Sequence, residues 1–224
     1  MSIHSLHIGK TGSTACNHAI KPYCEQLDIV LHKHGTRMSQ LPKGEPIYFF
    51  MRHPISRFVS GFNSRQRCGK PRYNSPWDLN EERAFGIFPT ARSLGEALSS
   101  EDSKMQDEAQ NAMRGIIHVN MTFKCWFWDF AEIEKRGDEI IFVGMQEDLN
   151  ADFERLKRVL GLPEHLSLPT DPVEAHKTPE GYDRDLSELA TQNLTKWYAE
   201  DIELYDRCCE LRHKINARLD TAPV

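Results

Sequence analysis

The chain has 224 residues and 25.9 kDa, a length that suits one domain with a substantial core. Hydrophobic residues make up 39% and charged residues 27%, proportions that exclude a disordered chain. The longest apolar stretches, at 47–51 and 140–143, are strand-sized and fall well short of the roughly 20 residues of a membrane span. We therefore expect no integral membrane segment.

Charges are distributed unevenly along the chain. Residues 1–100 hold 13 Lys and Arg against 7 Asp and Glu, whereas residues 101–224 hold 15 against 26. Residues 46–77 contain six cationic side chains and no acidic one. Such a stretch either forms a basic surface or surrounds an anionic ligand. The net charge of −5 argues against general nucleic-acid binding.

Hydrophobic patterning predicts strands that alternate with helices. The expected strands are at 3–8, 29–31, 47–51 and 140–143, and the expected helices at 14–27, 54–67, 93–117 (two), 149–160 and 185–219. Asp185 and Glu188 are expected to form the capping box of the last helical region. Residues 68–92, rich in Pro, Gly, Asn and Arg, are expected to form a long excursion. Buried strands alternating with helices imply an α/β fold with a parallel sheet, in a single domain over 1–224.

The first strand-to-helix turn, residues 7–14, has the composition of a phosphate-binding loop. Glycines allow close backbone approach to an anion, the next helix offers free N–H groups, and Lys10 adds a positive charge. Three hydroxyl side chains lie in the same turn: Thr11, Ser13 and Thr14. Because Lys10 precedes Gly12, the order of a Walker A loop does not occur. The alternative is a turn with a structural role only.

A second candidate segment begins where the strand at 47–51 ends. Arg52 lies at the carboxyl end of that strand, where open α/β sheets bind their ligands. Ser60 follows eight residues later in the predicted helix. Both side chains could therefore reach one phosphate group. Alternatively, Arg52 pairs with an acid and Ser60 fills space.

Together, these segments resemble the sulfotransferases that use 3′-phosphoadenosine-5′-phosphosulfate (PAPS). Residues 10–14, Lys-Thr-Gly-Ser-Thr, are similar to the 5′-phosphosulfate loop of that family, Pro-Lys-Thr-Gly-Gly-Thr. Residues 52–60 are similar to its 3′-phosphate motif, Arg-Asp-Pro-x-x-Arg-x-x-Ser. The chain departs from these motifs at Gly9, Ser13 and His53, and none of the three departures removes a phosphate donor.

The resemblance covers most of the chain, since residues 142–162 and 197–205 are similar to a late strand and helix and to the C-terminal helix of the family. It implies a P-loop-type three-layer α/β/α sandwich with a central, mostly parallel sheet. It also implies that PAPS is the sulfuryl donor and that no metal is required. The implied cofactor-binding residues are Lys10, Thr11, Gly12, Ser13, Thr14, Arg52, Ser60 and Lys177.

The resemblance implies separate roles for these residues. Lys10 neutralises the leaving 5′-phosphate, whereas Arg52 and Ser60 hold the 3′-phosphate that distinguishes this cofactor from ATP. Lys177 belongs to a basic segment that closes over the cofactor. A histidine is suited to take the proton from the acceptor at neutral pH.

His34, after the second strand, is the preferred catalytic base, because hydroxyl-specific members of the family often carry their catalytic histidine there. Three other histidines remain alternatives, namely His32, His118 and His176. A carboxylate is a further alternative.

Two further segments bear on the substrate. Residues 123–128 are dense in aromatic side chains, which favours core packing over stacking on adenine or a sugar ring. The Arg-rich segment 65–72 is a candidate to meet an anionic acceptor such as a partly sulfated glycan.

The sequence thus predicts a PAPS-dependent sulfotransferase that acts on a hydroxyl, of a carbohydrate or a glycolipid. The alternatives are a nucleotide kinase or hydrolase of the same architecture and a non-catalytic nucleotide-binding module. The first residues lack the basic start and apolar region of a secretory signal, so we expect a cytoplasmic location. The expected partner is a small-molecule or glycan acceptor, and the oligomeric state stays open.

Overall fold

The computed structural model describes residues 1–171, 173–174, 179 and 181–221. In this part of the chain, four strands, β1 to β4, span Ile3–Leu6, Ile29–Leu31, Ile47–Met51 and Ile140–Met145. Nine helices, α1 to α9, span Ser13–Ile20, Pro54–Gln66, Leu79–Ile87, Ala91–Ala97, Ser103–Gly115, Phe130–Lys135, Leu149–Leu160, Glu188–Trp197 and Ala199–Thr221.

The chain divides into two compact units, each built from segments that are distant in sequence. The first unit comprises Met1–His53, Phe123–His176 and Glu203–Val224, and the second comprises Pro54–Thr122 and Lys177–Ile202. All four strands lie in the first unit, together with α1, α6 and α7. The single domain expected over residues 1–224 stays a prediction.

The sheet of the first unit is entirely parallel, in the order β2-β1-β3-β4. This arrangement confirms the predicted α/β fold with a parallel sheet. The chain passes from β1 to β2 on one side and then to β3 on the other side of β1. The strand order therefore reverses between β1 and β3, and ligands of open α/β sheets bind beside the carboxyl ends of the strands at such a point.

Both faces of this sheet are buried, which explains the continuous apolar sequence of β3. On one face, Tyr48 and Phe50 belong to a cluster with α1 and α7, to which Cys16 and Phe153 contribute. On the other face, the Phe49 ring packs against the ring of Phe127 with centroids 5.2 Å apart. In the aromatic segment 123–128, Phe123, Trp126 and Phe127 are fully buried in the core, as favoured from sequence, whereas Trp128 is 75% exposed.

The second unit corrects the expectation of a long irregular excursion at residues 68–92. Asp78 caps α3 within this range, because its side chain accepts from the backbone N–H of Glu81 while the Glu81 side chain accepts from that of Asp78. The Glu81 carboxylate also forms a buried ion pair with Arg65. The acid-free stretch is therefore not uniformly a basic surface, since Arg57 and Arg65 are each 2% exposed.

Two helix boundaries also differ from the sequence expectation. Helix α1 ends at Ile20 rather than at residue 27, and a short 3-10 turn follows at Lys21–Tyr23. Pro22 explains this end, because proline lacks the N–H that a continuing α-helix needs. Helix α8 begins at Glu188 with Ser187 as its cap, so the capping box proposed for Asp185 was wrong.

Gly144 in β4 lies directly beside Phe50, its partner across the β3–β4 pair. A Cβ atom added at Gly144 would lie 2.3 Å from the Phe50 ring, which is itself buried. We expect Gly144→Ala to lower the free energy of unfolding by about 1–3 kcal/mol through overpacking.

Urea unfolding followed by circular dichroism measures this effect. Gly86→Ala is the matched control, because Gly86 lies in α3 with no atom within 4 Å of an added Cβ. Equal unfolding free energies for the Gly144→Ala and Gly86→Ala variants would contradict the packing described for β3 and β4.

Candidate active site

The loop between β1 and α1 has the backbone of an anion site. Lys10 and Gly12 both adopt left-handed conformations, with φ of 68° and 86°. Left-handed residues in such loops are typical of backbone concavities that bind anions. Gly12 is the N-cap of α1, and no side chain in the described part of the chain caps this end. The first N–H groups of α1 therefore remain available to an anionic ligand.

Gly12 is required at its position for two reasons. Its positive φ favours glycine, and a Cβ atom there would lie 3.0 Å from Leu149 Cδ1. Leu149 begins α7, which follows β4. The loop is thus packed closely against the start of a second helix of the same unit.

The hydroxyl groups of the loop are used mainly within the loop itself. Thr11 Oγ1 donates to the Ile8 carbonyl at 2.9 Å and lies 2.8 Å from Ser13 Oγ, and both side chains are buried. Thr14 Oγ1 lies 3.3 Å from His7 Nε2. These contacts fix the loop conformation, so the backbone N–H groups and Lys10 are the groups best placed to meet a ligand.

Arg52 brings the second motif to this loop. It follows β3 directly, and its Nη1 donates to the Lys10 carbonyl oxygen at 3.4 Å. The two residues are 42 positions apart in sequence, and the parallel pairing of β1 with β3 makes them neighbours. The site therefore combines two cationic side chains with the free end of α1.

Ser60 and Lys177, the other two predicted cofactor residues, lie elsewhere in the chain. Ser60 is half-buried on α2, which belongs to the second unit. Lys177 lies outside the described residues, as does His176. His118, another alternative base, belongs to the second unit.

His34 lies close to Lys10, as a catalytic base in this site would. Its ring stacks on the ring of His7 with centroids 3.8 Å apart, while part of the side chain stays exposed. Packing of the ring against the protein lowers the pKa of His34, and the positive charge of Lys10 lowers it further. His34 is therefore neutral at pH 7 and carries a lone pair that can accept a proton.

Trp126 positions His34, a role that the sequence interpretation did not include. Its Nε1 donates to the His34 carbonyl oxygen at 2.7 Å. A Cβ atom at Gly9 would lie 3.4 Å from Trp126 Cζ2 and 3.6 Å from His34 Nδ1, so these residues are in close contact with the start of the loop. The only feature of the sequence that could have indicated this role is the tryptophan itself, because a buried indole N–H requires a hydrogen-bond acceptor.

The sequence analysis also did not predict a role for Glu147 near the site. It accepts from the backbone N–H of His53 at 2.8 Å and from the Tyr205 hydroxyl at 3.4 Å. The His53 ring meets the Tyr205 ring edge to face, with centroids 5.3 Å apart. Burial and then the Glu147 charge raise the pKa of Tyr205, which stays protonated at neutral pH. The group holds the chain just after Arg52.

The described residues include no group of three or more His, Cys, Asp and Glu side chains arranged to hold a metal ion. No helix among them is both long enough and apolar enough to cross a membrane.

A cationic loop at the reversal point of a parallel sheet is typical of α/β proteins whose ligand carries phosphate or a similar anion. Comparison with protein families identifies which group of such proteins this is. The chain belongs to the sulfotransferase family, since the family model matches residues 3–206. This confirms the family predicted from the two motifs and assigns the chain to the transferases that move a sulfuryl group. No curated protein and no solved structure gave a significant match.

Replacing Trp126 by Phe removes the indole N–H but keeps an aromatic ring. The carbonyl of His34 then loses its donor, and we expect the free energy of unfolding to fall by about 1–3 kcal/mol. The ring protons of His34 should shift in the NMR spectrum. Trp128→Phe is the matched control, because Trp128 is 75% exposed and should tolerate the change. If both variants unfold alike and leave the His34 resonances unchanged, the positioning role of Trp126 is wrong.

Proposed function

We propose that the protein is a PAPS-dependent sulfotransferase whose acceptor is a hydroxyl group of a carbohydrate or glycolipid. The observation that carries this proposal is the convergence of Lys10, Arg52 and the uncapped start of α1 beside a neutral His34. Sulfuryl transfer needs a cationic phosphate site and a proton acceptor together, because a leaving phosphate must be stabilised while a hydroxyl loses its proton.

The residues of the loop suit the donor. PAPS, when bound, supplies a sulfuryl group attached to a phosphate that leaves with negative charge. In the proposed complex, Lys10 neutralises that phosphate, with the backbone N–H groups of residues 11–14 around it. Arg52 holds the 3′-phosphate. Ser60 and Lys177 stay proposed contacts from the resemblance to the family.

His34 is the proposed base. It accepts the proton of the acceptor hydroxyl as the oxygen attacks sulfur, and its ring is held by stacking on His7 and by the bond from Trp126 to its carbonyl. A base must be unprotonated before the reaction, and the lowered pKa of His34 meets that condition at neutral pH.

The segment after α2 is suited to bind an acceptor that carries negative charge. Lys70, Arg72 and Tyr73 are exposed there. Arg67 lies over the Tyr182 ring, 5.4 Å from its centroid, in the same unit. Cationic and aromatic side chains together provide contacts for a sugar ring that carries carboxylate or sulfate groups. This supports the carbohydrate part of the proposal.

Removal of the Lys10 charge tests the proposed reaction. We expect Lys10→Ala to lower kcat for sulfuryl transfer from PAPS by on the order of 10²–10³-fold, the usual cost of one well-placed donor to a developing anion. Transfer is measured with labelled PAPS on a panel of glycans. Lys21→Ala is the control, because Lys21 is exposed just after α1. Equal rates for the two variants would contradict the role given to Lys10.

In the proposed mechanism, the pKa of His34 determines where kcat falls on the acid side of its pH profile. Because burial and then the charge of Lys10 lower the pKa of His34, we expect kcat to fall on the acid side at a lower pH than for a base with the ordinary histidine pKa, as His34 becomes protonated. In the Lys10→Ala variant, burial still lowers the pKa of His34 but the charge of Lys10 is gone, so NMR titration of His34 should give a higher pKa than in the unsubstituted protein. An unchanged or lower pKa of His34 in the Lys10→Ala variant would contradict the influence of Lys10 on His34.

A further inference from the structure

The His7 side chain lies between the loop of the candidate site and the proposed base. Its Nε2 atom is 3.3 Å from the hydroxyl oxygen of Thr14, a residue in the first turn of α1. Its ring is stacked on the ring of His34, with centroids 3.8 Å apart and an interplanar angle of 35°. One half-buried imidazole thus touches both the loop that would hold the donor and the residue that would accept the proton.

The parallel pairing of β1 with β2 explains why these residues meet. His7 is the first residue after β1, and His34 is the third residue after β2. Because Ser5 is in register with Leu31, the two segments leave the sheet side by side at its carboxyl edge. The chain then turns through the loop into α1, which brings Thr14 back to His7.

Contact with His7 restrains the ring of His34. His34 is an exposed residue, and an exposed side chain of this kind has several staggered rotamers to choose from. Trp126 bonds to the backbone carbonyl of His34, whereas His7 is in contact with the ring itself. A misplacement of about 1 Å in a reacting group costs on the order of 10²-fold in rate. The stack is therefore suited to hold the basic ring in one orientation.

Contact with Thr14 determines what the hydroxyl of that residue can offer to an anion. A hydroxyl has one hydrogen to donate and two lone pairs that accept. When Thr14 donates to His7, its hydrogen is occupied, and when His7 Nε2 donates instead, that hydrogen stays available. An anion at the start of α1 favours the second arrangement, because a hydrogen bond to a charged acceptor is about twice as strong as one between neutral groups.

Thr14 differs in this respect from the other hydroxyl residues of the loop. Thr11 and Ser13 are buried, and their hydroxyl oxygens lie 2.8 Å apart. Thr14 is half-buried, and its contact is to a side chain outside the helix. The orientation of its hydroxyl therefore depends on His7.

We propose that His7 is a positioning residue for both halves of the sulfuryl-transfer site. Its Nε2–H donates to Thr14 Oγ1, which leaves the Thr14 hydroxyl to donate to the bound anion, and its ring holds His34 in place as the base. This inference rests on the proposed function. The proton of the acceptor still goes to His34, and no covalent bond of His7 is made or broken.

Two substitutions at His7 separate the two contacts. Phenylalanine keeps an aromatic ring for His34 but cannot donate to Thr14, whereas glutamine keeps an N–H donor but has no ring. We expect His7→Phe to weaken binding of 3′-phosphoadenosine-5′-phosphate roughly 3- to 10-fold in calorimetry, because the Thr14 hydroxyl is no longer oriented. In this variant, the NMR signals of the His34 ring protons should stay shifted upfield by the stacked ring.

The glutamine variant should show the opposite pattern. We expect His7→Gln to bind the nucleotide with unchanged affinity but to lower kcat with labelled PAPS about 10- to 100-fold, because the His34 ring is no longer held. The His34 ring protons should then move towards their shifts in an unfolded chain. His213→Phe and His213→Gln are the matched controls, since His213 is exposed on α9, and they should change neither affinity nor kcat.

The donor role of His7 Nε2 is measured by ¹⁵N NMR of the histidine rings. In the complex with 3′-phosphoadenosine-5′-phosphate, we expect the ¹⁵N shift of His7 Nε2 to be that of a protonated nitrogen. An unprotonated Nε2 in this complex would show that Thr14 donates to His7, and the proposed role towards Thr14 would be wrong.

The remaining results distinguish a failure of this role from a failure of the proposed function. If the unsubstituted protein binds the nucleotide and transfers sulfuryl groups, but both His7 variants lose affinity, kcat and melting temperature alike, His7 is only structural and the proposal is overturned. If the unsubstituted protein neither binds nor transfers, the proposed function is refuted. Equal His34 shifts in the free His7→Phe and His7→Gln proteins would overturn the role of the stack in either case.

Discussion

The parallel pairing of β1 with β3 places the two halves of the candidate site at one edge of the sheet. Lys10 and Arg52 follow these strands, and a hydrogen bond from the guanidinium to the Lys10 carbonyl joins them. The strand order reverses between β1 and β3, and ligands of open α/β sheets bind at such a point. Burial of Phe49 and Phe50 on opposite faces holds β3 in this position.

One charge links donor binding to proton transfer in this arrangement. Lys10 is the cation that would meet the leaving phosphate, and it is also one cause of the low pKa of His34. A bound anion offsets the charge of Lys10, so we expect His34 to become a better proton acceptor when the donor is present. A base that strengthens on donor binding suits a transferase, because it is ready for the acceptor only when the sulfuryl group is in place.

The sequence was sufficient for the local parts of this account and insufficient for the long-range ones. The loop at 9–14 and Arg52 were predicted because glycine, lysine and strand-end positions carry a local signal. Trp126 and the stacking of His7 on His34 were not, since both depend on which distant segments the sheet brings together. Arg65 belongs to the segment predicted as a candidate to meet an anionic acceptor, whereas the structure pairs it with Glu81, which lies beyond the acid-free stretch.

The most direct test of the central claim is calorimetric titration of the protein with 3′-phosphoadenosine-5′-phosphate, beside ATP and beside the Arg52→Ala variant. We expect binding of the 3′-phosphorylated nucleotide, marked weakening in the variant, and no comparable binding of ATP. Preference for ATP, or binding that is indifferent to Arg52, would contradict the assignment of this site to a PAPS-type donor and would favour a nucleotide kinase or hydrolase instead.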